Sequence, residues 1–80
     1  MKTFNYRTEN GPYTQQVTQQ GNRYTVKTWV GEKRELIAES DDLTRREKDE
    51  QLDYQSEYAE LLLERVGDYE SGLASGKYGF

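Results

Sequence analysis

The sequence contains no cysteine and no histidine among its 80 residues. Without cysteine, the chain can form no disulfide, no thiolate nucleophile and no cysteine-based zinc or iron–sulfur site. Without histidine, it lacks the side chain that most often acts as a general base near neutral pH and as a metal ligand. We therefore expect a protein that is not an enzyme and that binds no metal and no cofactor.

Long apolar runs are also missing. The hydrophobic fraction is 32%, and the mean hydropathy is −1.15. No segment approaches the roughly 20 apolar residues that a membrane-spanning helix needs, and the first residues turn polar too early for a signal segment. These observations predict a single domain, residues 1–80, in the cytoplasm. Because aliphatic residues are few, its core must depend on the seven Tyr, two Phe and one Trp.

The charged residues are distributed unevenly along the chain. Residues 1–38 contain six basic and three acidic side chains, a net charge of +3. Residues 39–80 contain five basic and twelve acidic side chains, a net charge of −7, and the whole chain carries −4. This asymmetry indicates that the second half would attract a basic partner.

The first half alternates apolar and polar residues in runs that end at turn-forming residues, which is typical of strands. The predicted strands cover residues 3–8, 13–20, 23–30 and 34–39. The turns between them are predicted at residues 9–12, 21–22 and 31–33. In the third run, Trp29 lies on the opposite face from Tyr24 and Val26. It therefore either packs under the end of the chain or anchors an interface.

After residue 43 the apolar residues follow a helical period. Thr44 and Glu47 form the capping-box pattern T-x-x-E, and Gly67 is expected to end the helix. The residues expected to pack on the sheet are Tyr54, Tyr58, Leu61, Leu62 and Val66, widened by Leu52, Ala59 and Leu63. The sequence thus predicts an α+β fold, with an antiparallel sheet of three to four strands packed on one long acidic helix at about residues 44–66.

Residues 68–80 form a glycine-rich C-terminal segment. Two alternatives remain open for it. It is either a flexible tail or a segment that returns to cover the sheet. The side chains that would dock in the second case are Tyr69, Leu73, Tyr78 and Phe80.

The acidic residues of the predicted helix lie within an arc of about 100° when each residue is given 100°. They are Asp49, Glu50, Asp53, Glu57, Glu60 and Glu64. From position 53 onward no basic residue lies four positions away to pair with them. Like charges at this spacing destabilise a helix by about 0.2–0.5 kcal/mol per pair. We therefore interpret the row as a binding surface for a basic protein, with Trp29 as an additional anchor. The alternative is a solvated face that keeps the protein in solution.

A three- or four-stranded opening (TFNYRT, YTQQVTQQ, RYTVKTWV) followed by one acidic helix (EKDEQLDYQSEYAELLLE) resembles the phage-encoded anti-CRISPR inhibitors. The resemblance covers the whole chain in size and charge but includes no diagnostic motif, so it transfers no site residues. It implies an inhibitor that binds a CRISPR–Cas effector complex in the bacterial host cell and blocks target-DNA binding, with type I Cascade as the preferred target.

Two alternatives to an inhibitor remain open. One is a small phage structural or adaptor module, monomeric or homodimeric, whose helix self-associates through Leu52 and Leu63. The other is a regulator that binds nucleic acid through the sheet, where Arg23, Lys27, Tyr24 and Trp29 combine charge with aromatic rings. A net charge of only +3 on that half argues against direct contact with nucleic acid.

Overall fold

The computed structural model describes the backbone of residues 1–75 and the side chains of residues 1–65. The elements follow one another as β1 (Lys2–Thr8), β2 (Gly11–Gln20), β3 (Arg23–Val30), β4 (Glu35–Leu43) and α1 (Arg45–Ser75). The four strands form one antiparallel sheet in the order β1-β2-β3-β4, and α1 packs on one face of it. The predicted α+β fold is confirmed.

Short connections join the neighbouring strands. β1 pairs with β2 from Lys2 opposite Val17 to Thr8 opposite Gly11. The turn between β2 and β3 contains Gly21, whose φ of 64° lies in the left-handed region that favours glycine. The hairpin predicted at this glycine is confirmed. The last strand runs to Leu43, four residues beyond the predicted end at residue 39.

Among the side chains of residues 1–65, the core lies between α1 and the sheet and consists of two small apolar clusters. The first contains Tyr13, Ala59 and Leu63, with Val30 and Ile37 packed against them. The second contains Val17, Val26 and Leu43, with Tyr24 and Leu52 packed against them. Polar side chains provide a further set of contacts between the helix and the sheet.

Gln15, Thr28 and Gln55 form a buried polar layer beneath the helix. The Gln15 amide donates hydrogen bonds to Thr28 Oγ1 at 3.2 Å and to the carbonyl of Leu52 at 2.9 Å. The Thr28 hydroxyl donates to Gln55 Oε1 at 2.8 Å. Among the described side chains, every buried nitrogen and oxygen has a partner. This network fixes the position of α1 along the sheet, because a shift would leave buried polar groups unpaired.

The helix face that packs on the sheet differs from the predicted one. Tyr54, Tyr58 and Leu61 are 71%, 43% and 60% exposed, so the prediction that they hold the sheet is wrong. Leu62 is half-buried, and the side chain of Val66 lies outside the described residues. The buried face is centred on Ala59, one residue past Tyr58 and therefore about 100° around the helix. A small side chain at this position lets the helix backbone approach the sheet.

α1 begins as predicted and ends later. The Thr44 N–H donates to Glu47 Oε1 at 3.0 Å, and the Glu47 N–H donates to Thr44 Oγ1 at 3.2 Å, so the capping box is confirmed. The helix does not end at Gly67 but continues to Ser75. A glycine inside a helix costs only about 1 kcal/mol, which a helix of this length tolerates. The predicted glycine-rich segment thus begins within the helix, and its docking on the sheet lies outside the described residues.

Candidate protein-binding surface

α1 is divided lengthwise into three sectors, of which one is buried against the sheet. Ser56 Oγ lies 2.8 Å from Tyr13 Oη on β2, and the acidic positions Asp53 and Glu60 follow Ser56 within about 60° around the helix. On the other side, Tyr54 and Tyr58 border a groove shared with β4. The acidic sector therefore lies towards β1 and β2, and an apolar sector lies towards β4.

The acidic stripe consists of Asp53, Glu57, Glu60 and Glu64. All four are exposed, and none forms an ion pair with any side chain of residues 1–65. Side chains three or four residues apart on a helix are about 5–6 Å from one another. The stripe thus places four carboxylates along about 17 Å of helix, none of them within ion-pair distance of a cation in residues 1–65.

The two remaining predicted acids of the helix have cationic neighbours. Arg46 Nε lies 3.4 Å from Glu50 Oε1, and Lys48 Nζ lies 2.8 Å from Asp49 Oδ1. Lys48 Nζ also lies 5.1 Å from the ring centroid of Tyr24 on β3. Because Lys48 is the only basic residue between positions 47 and 64, this inward contact leaves the acidic stripe without a counter-charge from its own helix segment.

Trp29 lies on the helix-free face of the sheet. Thr28, its neighbour on β3, bonds to the helix, and successive strand side chains alternate between faces. Trp29 is half-buried and lies opposite Leu36 of β4. It lines a shallow groove of about 330 Å³ together with Thr3, Thr14, Gln16 and Arg34. The sheet therefore separates Trp29 from the acidic stripe, and the seven predicted binding residues do not form one continuous surface.

The apolar ridge consists of Tyr54, Tyr58 and Leu61, and it runs beside the acidic stripe along α1. With Glu57, these three residues line a groove of about 160 Å³. Tyr54 and Tyr58 also border a second groove of about 370 Å³ between the helix and β4. Large exposed side chains that adjoin one another in this way are typical of protein-binding surfaces.

The apolar ridge was missed at the sequence level because its residues were counted as core. A signal for the correct assignment lies in β2, where Gln15 shares a strand face with the core residues Tyr13 and Val17. A glutamine at a buried position needs a polar partner, and Gln51 and Gln55 repeat at one helical turn. Pairing Gln15 with these helix glutamines predicts the observed buried face of the helix and leaves the tyrosines exposed.

Two other predicted surfaces change when they are placed in the fold. Leu63 is buried in the first apolar cluster and Leu52 packs against the second, so neither is available for self-association of the helix. On the sheet, Arg23 Nε lies 3.6 Å from Asp42 Oδ1. Lys27 Nζ lies 3.5 Å from Glu39 Oε2. Both cations proposed for nucleic-acid contact thus have carboxylate neighbours.

Within the described part of the chain, no three carboxylates converge in an arrangement suited to a metal ion. No helix among those residues is both long and apolar enough to cross a membrane. Comparison of the chain with protein-family models, curated proteins and solved structures finds no match. The candidate surface is therefore defined by its geometry, an acidic stripe of four carboxylates beside an apolar ridge of three large side chains.

Proposed function

We propose that the protein binds a basic surface of another protein through the acidic stripe and the apolar ridge. The observation that carries the proposal is their position side by side on α1. Protein interfaces typically combine large apolar anchors at the centre with polar groups around them. The acidic stripe supplies charge that steers a basic partner and fixes its register, and the apolar ridge supplies surface that becomes buried on binding.

Within this class we propose an inhibitor that occupies the DNA-binding groove of a CRISPR–Cas effector complex, type I Cascade, in the bacterial cytoplasm. The pitch and sign of the acidic stripe support this, because a DNA backbone also presents regularly spaced negative charges. Arg side chains that hold phosphates also form short charge-assisted hydrogen bonds with carboxylates. The resemblance of the whole chain to anti-CRISPR inhibitors supports the choice of target. Target DNA would then be excluded by direct competition.

The test is a competition between the protein and target DNA for purified Cascade. The stripe variant carries Asp53→Asn, Glu57→Gln, Glu60→Gln and Glu64→Gln. The matched control carries Glu9→Gln, Glu32→Gln, Glu35→Gln and Glu39→Gln, which removes the same charge from other exposed positions. We expect the stripe variant to bind at least about tenfold more weakly, a change of ~1.4 kcal/mol, and the control to bind like the wild type.

The possible outcomes distinguish the role of net charge, the role of the acidic stripe and the identity of the partner. Equal weakening of both variants would show that net charge, and not the acidic stripe, attracts the partner. Undiminished competition by the stripe variant would show that the stripe does not bind. If wild-type protein does not bind Cascade at all, the assignment to this effector is wrong. Binding through the stripe should also weaken as salt concentration rises.

A structural or adaptor module is the second candidate, and the exposure of Tyr54 and Leu61 favours it. In such a module the apolar ridge would carry the contact, and the acidic stripe would only be solvated. The variant Tyr54→Ser, Leu61→Ser should then abolish partner binding while the stripe variant retains it. Binding should also persist at high salt, because apolar contacts are not screened.

A further inference from the structure

Among the residues that the structure describes, the sheet has two unpaired edge strands, β1 and β4, and they differ in their protection against pairing with a further strand. β4 is irregular, because its pairing with β3 shifts register twice and Asp42 has a φ of 55°. Its acidic residues are Glu35, Glu39, Asp41 and Asp42. Bulges and charges of this kind block edge-to-edge pairing. β1, in contrast, pairs with β2 over seven consecutive residues with no shift, so it presents a regular edge.

Pro12 shows which backbone groups of β1 point outward. It lies opposite Arg7, it has no N–H, and its carbonyl accepts a hydrogen bond from the Gly31 N–H at 2.9 Å. Its backbone groups are thus directed away from β1, and Arg7 forms no ladder hydrogen bonds with β2. Because these bonds alternate along an antiparallel strand, the N–H and C=O of Thr3, Asn5 and Arg7 are directed to the open edge.

We propose that β1 pairs antiparallel with β1 of a second copy of this chain, around a twofold axis at Asn5. In this register the outward groups of Thr3, Asn5 and Arg7 meet those of Arg7, Asn5 and Thr3 of the second copy. Phe4 lies opposite Tyr6, and Lys2 lies opposite Thr8. No two like charges face each other, and cross-strand aromatic pairs stabilise antiparallel sheets. The strand is therefore complementary to itself.

Phe4 and Tyr6 are the apolar side chains that this pairing would cover. Their ladder partners Gln15 and Tyr13 are buried beneath α1, so both lie on the helix-facing side of the sheet. They remain 37% and 42% exposed, because the helix packs chiefly on β3 and leaves β1 open. The Tyr6 ring already stacks on the Tyr13 ring at 4.7 Å between centroids. Pairing of two copies would extend this stack into a cluster of aromatic rings across the axis.

The two helices leave room for this arrangement. From β3 of one copy to β3 of the other there are five strand spacings of about 4.8 Å, which places the helix axes about 24 Å apart. A helix with its side chains is about 10–12 Å wide, so the helices do not collide. Lys2 of each copy lies on the helix-facing side between them, because its ladder partner Val17 faces the helix. Its charge offsets the approach of the two acidic stripes.

Cysteine cross-linking tests the register, since the natural chain contains no thiol. With Asn5→Cys on the axis, the two Cα atoms would lie about 5.5 Å apart, within the disulfide range of about 4.4–6.8 Å. We expect this variant to form a disulfide-linked dimer under mild oxidation. Thr3→Cys is the matched control on the same strand face. Its two copies would lie about 14 Å apart, so it should not link to itself, whereas a mixture with Arg7→Cys should link.

Asn5→Pro tests the edge independently by sedimentation equilibrium. It removes an N–H that β2 does not use, at an edge position where proline is tolerated, together with the side-chain acceptor of the Thr14 hydroxyl. We expect the wild type to be a dimer, and Asn5→Pro to be a monomer with an unchanged circular dichroism spectrum. A monomeric wild type at the highest soluble concentration would overturn the proposal, even if β1 pairs with another protein. A dimer that survives Asn5→Pro, or equal self-linking of Asn5→Cys and Thr3→Cys, would also overturn it.

This inference and the proposed function fail separately. The dimer should persist when salt is raised, since backbone pairing and aromatic contacts hold it and screening weakens the repulsion between the acidic stripes. Binding of a basic partner should weaken under the same conditions. The Asn5→Pro variant retains both the acidic stripe and the apolar ridge, so it also reports whether partner binding needs the dimer.

Discussion

Leu61 and Leu63 are two residues apart on α1 but have opposite surroundings. Leu63 packs against Tyr13 and Ala59 and is 6% exposed, whereas Leu61 is 60% exposed in the apolar ridge. The comparison extends along the helix, where the buried side carries Gln55 and Ala59 and the outer side carries the tyrosines. The size and apolarity of a side chain therefore do not decide which face of this helix is buried. Hydrogen bonding and close approach to the sheet decide it, and large apolar groups remain exposed on the outer side.

The largest expected effect comes from the same substitution at these two leucines. Leu63→Ala should lower the free energy of unfolding by about 2–5 kcal/mol, because it removes buried contacts and leaves a cavity. Leu63 Cδ2 also lies near Gly11, at 3.3 Å from the position that a Cβ would take there. The side-chain atoms that the substitution removes therefore lie in a tightly packed region. Leu61→Ala should change stability by no more than about 0.5 kcal/mol. Urea denaturation measures both, and equal losses would contradict the observed orientation of α1.

The buried polar layer gives the next largest effect. Gln55→Ala should lower the free energy of unfolding by about 1–3 kcal/mol, because it leaves the buried Thr28 hydroxyl without its acceptor. Gln19→Ala is the matched control, since Gln19 is exposed and its amide bonds only locally, to the Gly21 carbonyl. Its effect should stay within about 0.5 kcal/mol. If the two variants are equally stable, hydrogen bonding does not position the helix.

The parts of the fold that follow from short-range patterns could be predicted from the sequence. The Gly21 turn and the capping box of Thr44 and Glu47 depend on residues within a few positions of each other, and both are present as predicted. The face of α1 depends on residues far apart in the chain, such as Gln15 and Gln55. Apolar periodicity assigns such glutamines to the surface by default. Apolar periodicity therefore assigned the tyrosines to the core. The predicted orientation of the helix differs from the observed one by about 100°, the rotation of one residue.

Only one part of the candidate site, the acidic stripe, could be predicted from the sequence. The exposure of Asp53, Glu57, Glu60 and Glu64 follows from their charge, which is costly to bury, so it did not depend on the exact orientation of α1. The apolar ridge depended entirely on that orientation and could not be found from periodicity. Trp29 was proposed as an additional anchor of the same contact, because no sequence pattern shows which face of the sheet the helix covers. The fold supplies this information through the contacts of Thr28 and Gln55.

Neutralising the acidic stripe tests the charged side of the helix. The variant Asp53→Asn, Glu57→Gln, Glu60→Gln, Glu64→Gln should raise the free energy of unfolding by roughly 0.6–1.5 kcal/mol, because within residues 49–64 it removes three like-charge pairs at four-residue spacing, 49/53, 53/57 and 60/64. The gain should shrink at high salt, which screens these charges in the wild type. The control with Glu9, Glu32, Glu35 and Glu39 changed to Gln should show no such gain. A stripe variant less stable than the wild type would contradict the absence of partners for these carboxylates.

The smallest expected effect is a pH dependence at the exposed start of α1. The Thr44 N–H, and then its hydroxyl, hold the pKa of Glu47 below its ordinary value of 4.5. A carboxyl group with a lowered pKa stabilises the folded state above its unfolded pKa, and this contribution is lost as pH falls through the folded pKa. The stability difference between wild type and Glu47→Gln should therefore be constant near neutral pH and decrease below pH 4.5. Asp41→Asn gives a second test of the same linkage, because hydrogen bonds from the Thr25 hydroxyl and the Asp42 N–H lower the pKa of Asp41 from its ordinary value of 3.8, so its stability difference should decrease below that pH. If the Glu47→Gln difference does not change with pH, the ionised carboxylate contributes nothing to the cap, and the start of the helix depends on the Thr44 side chain alone.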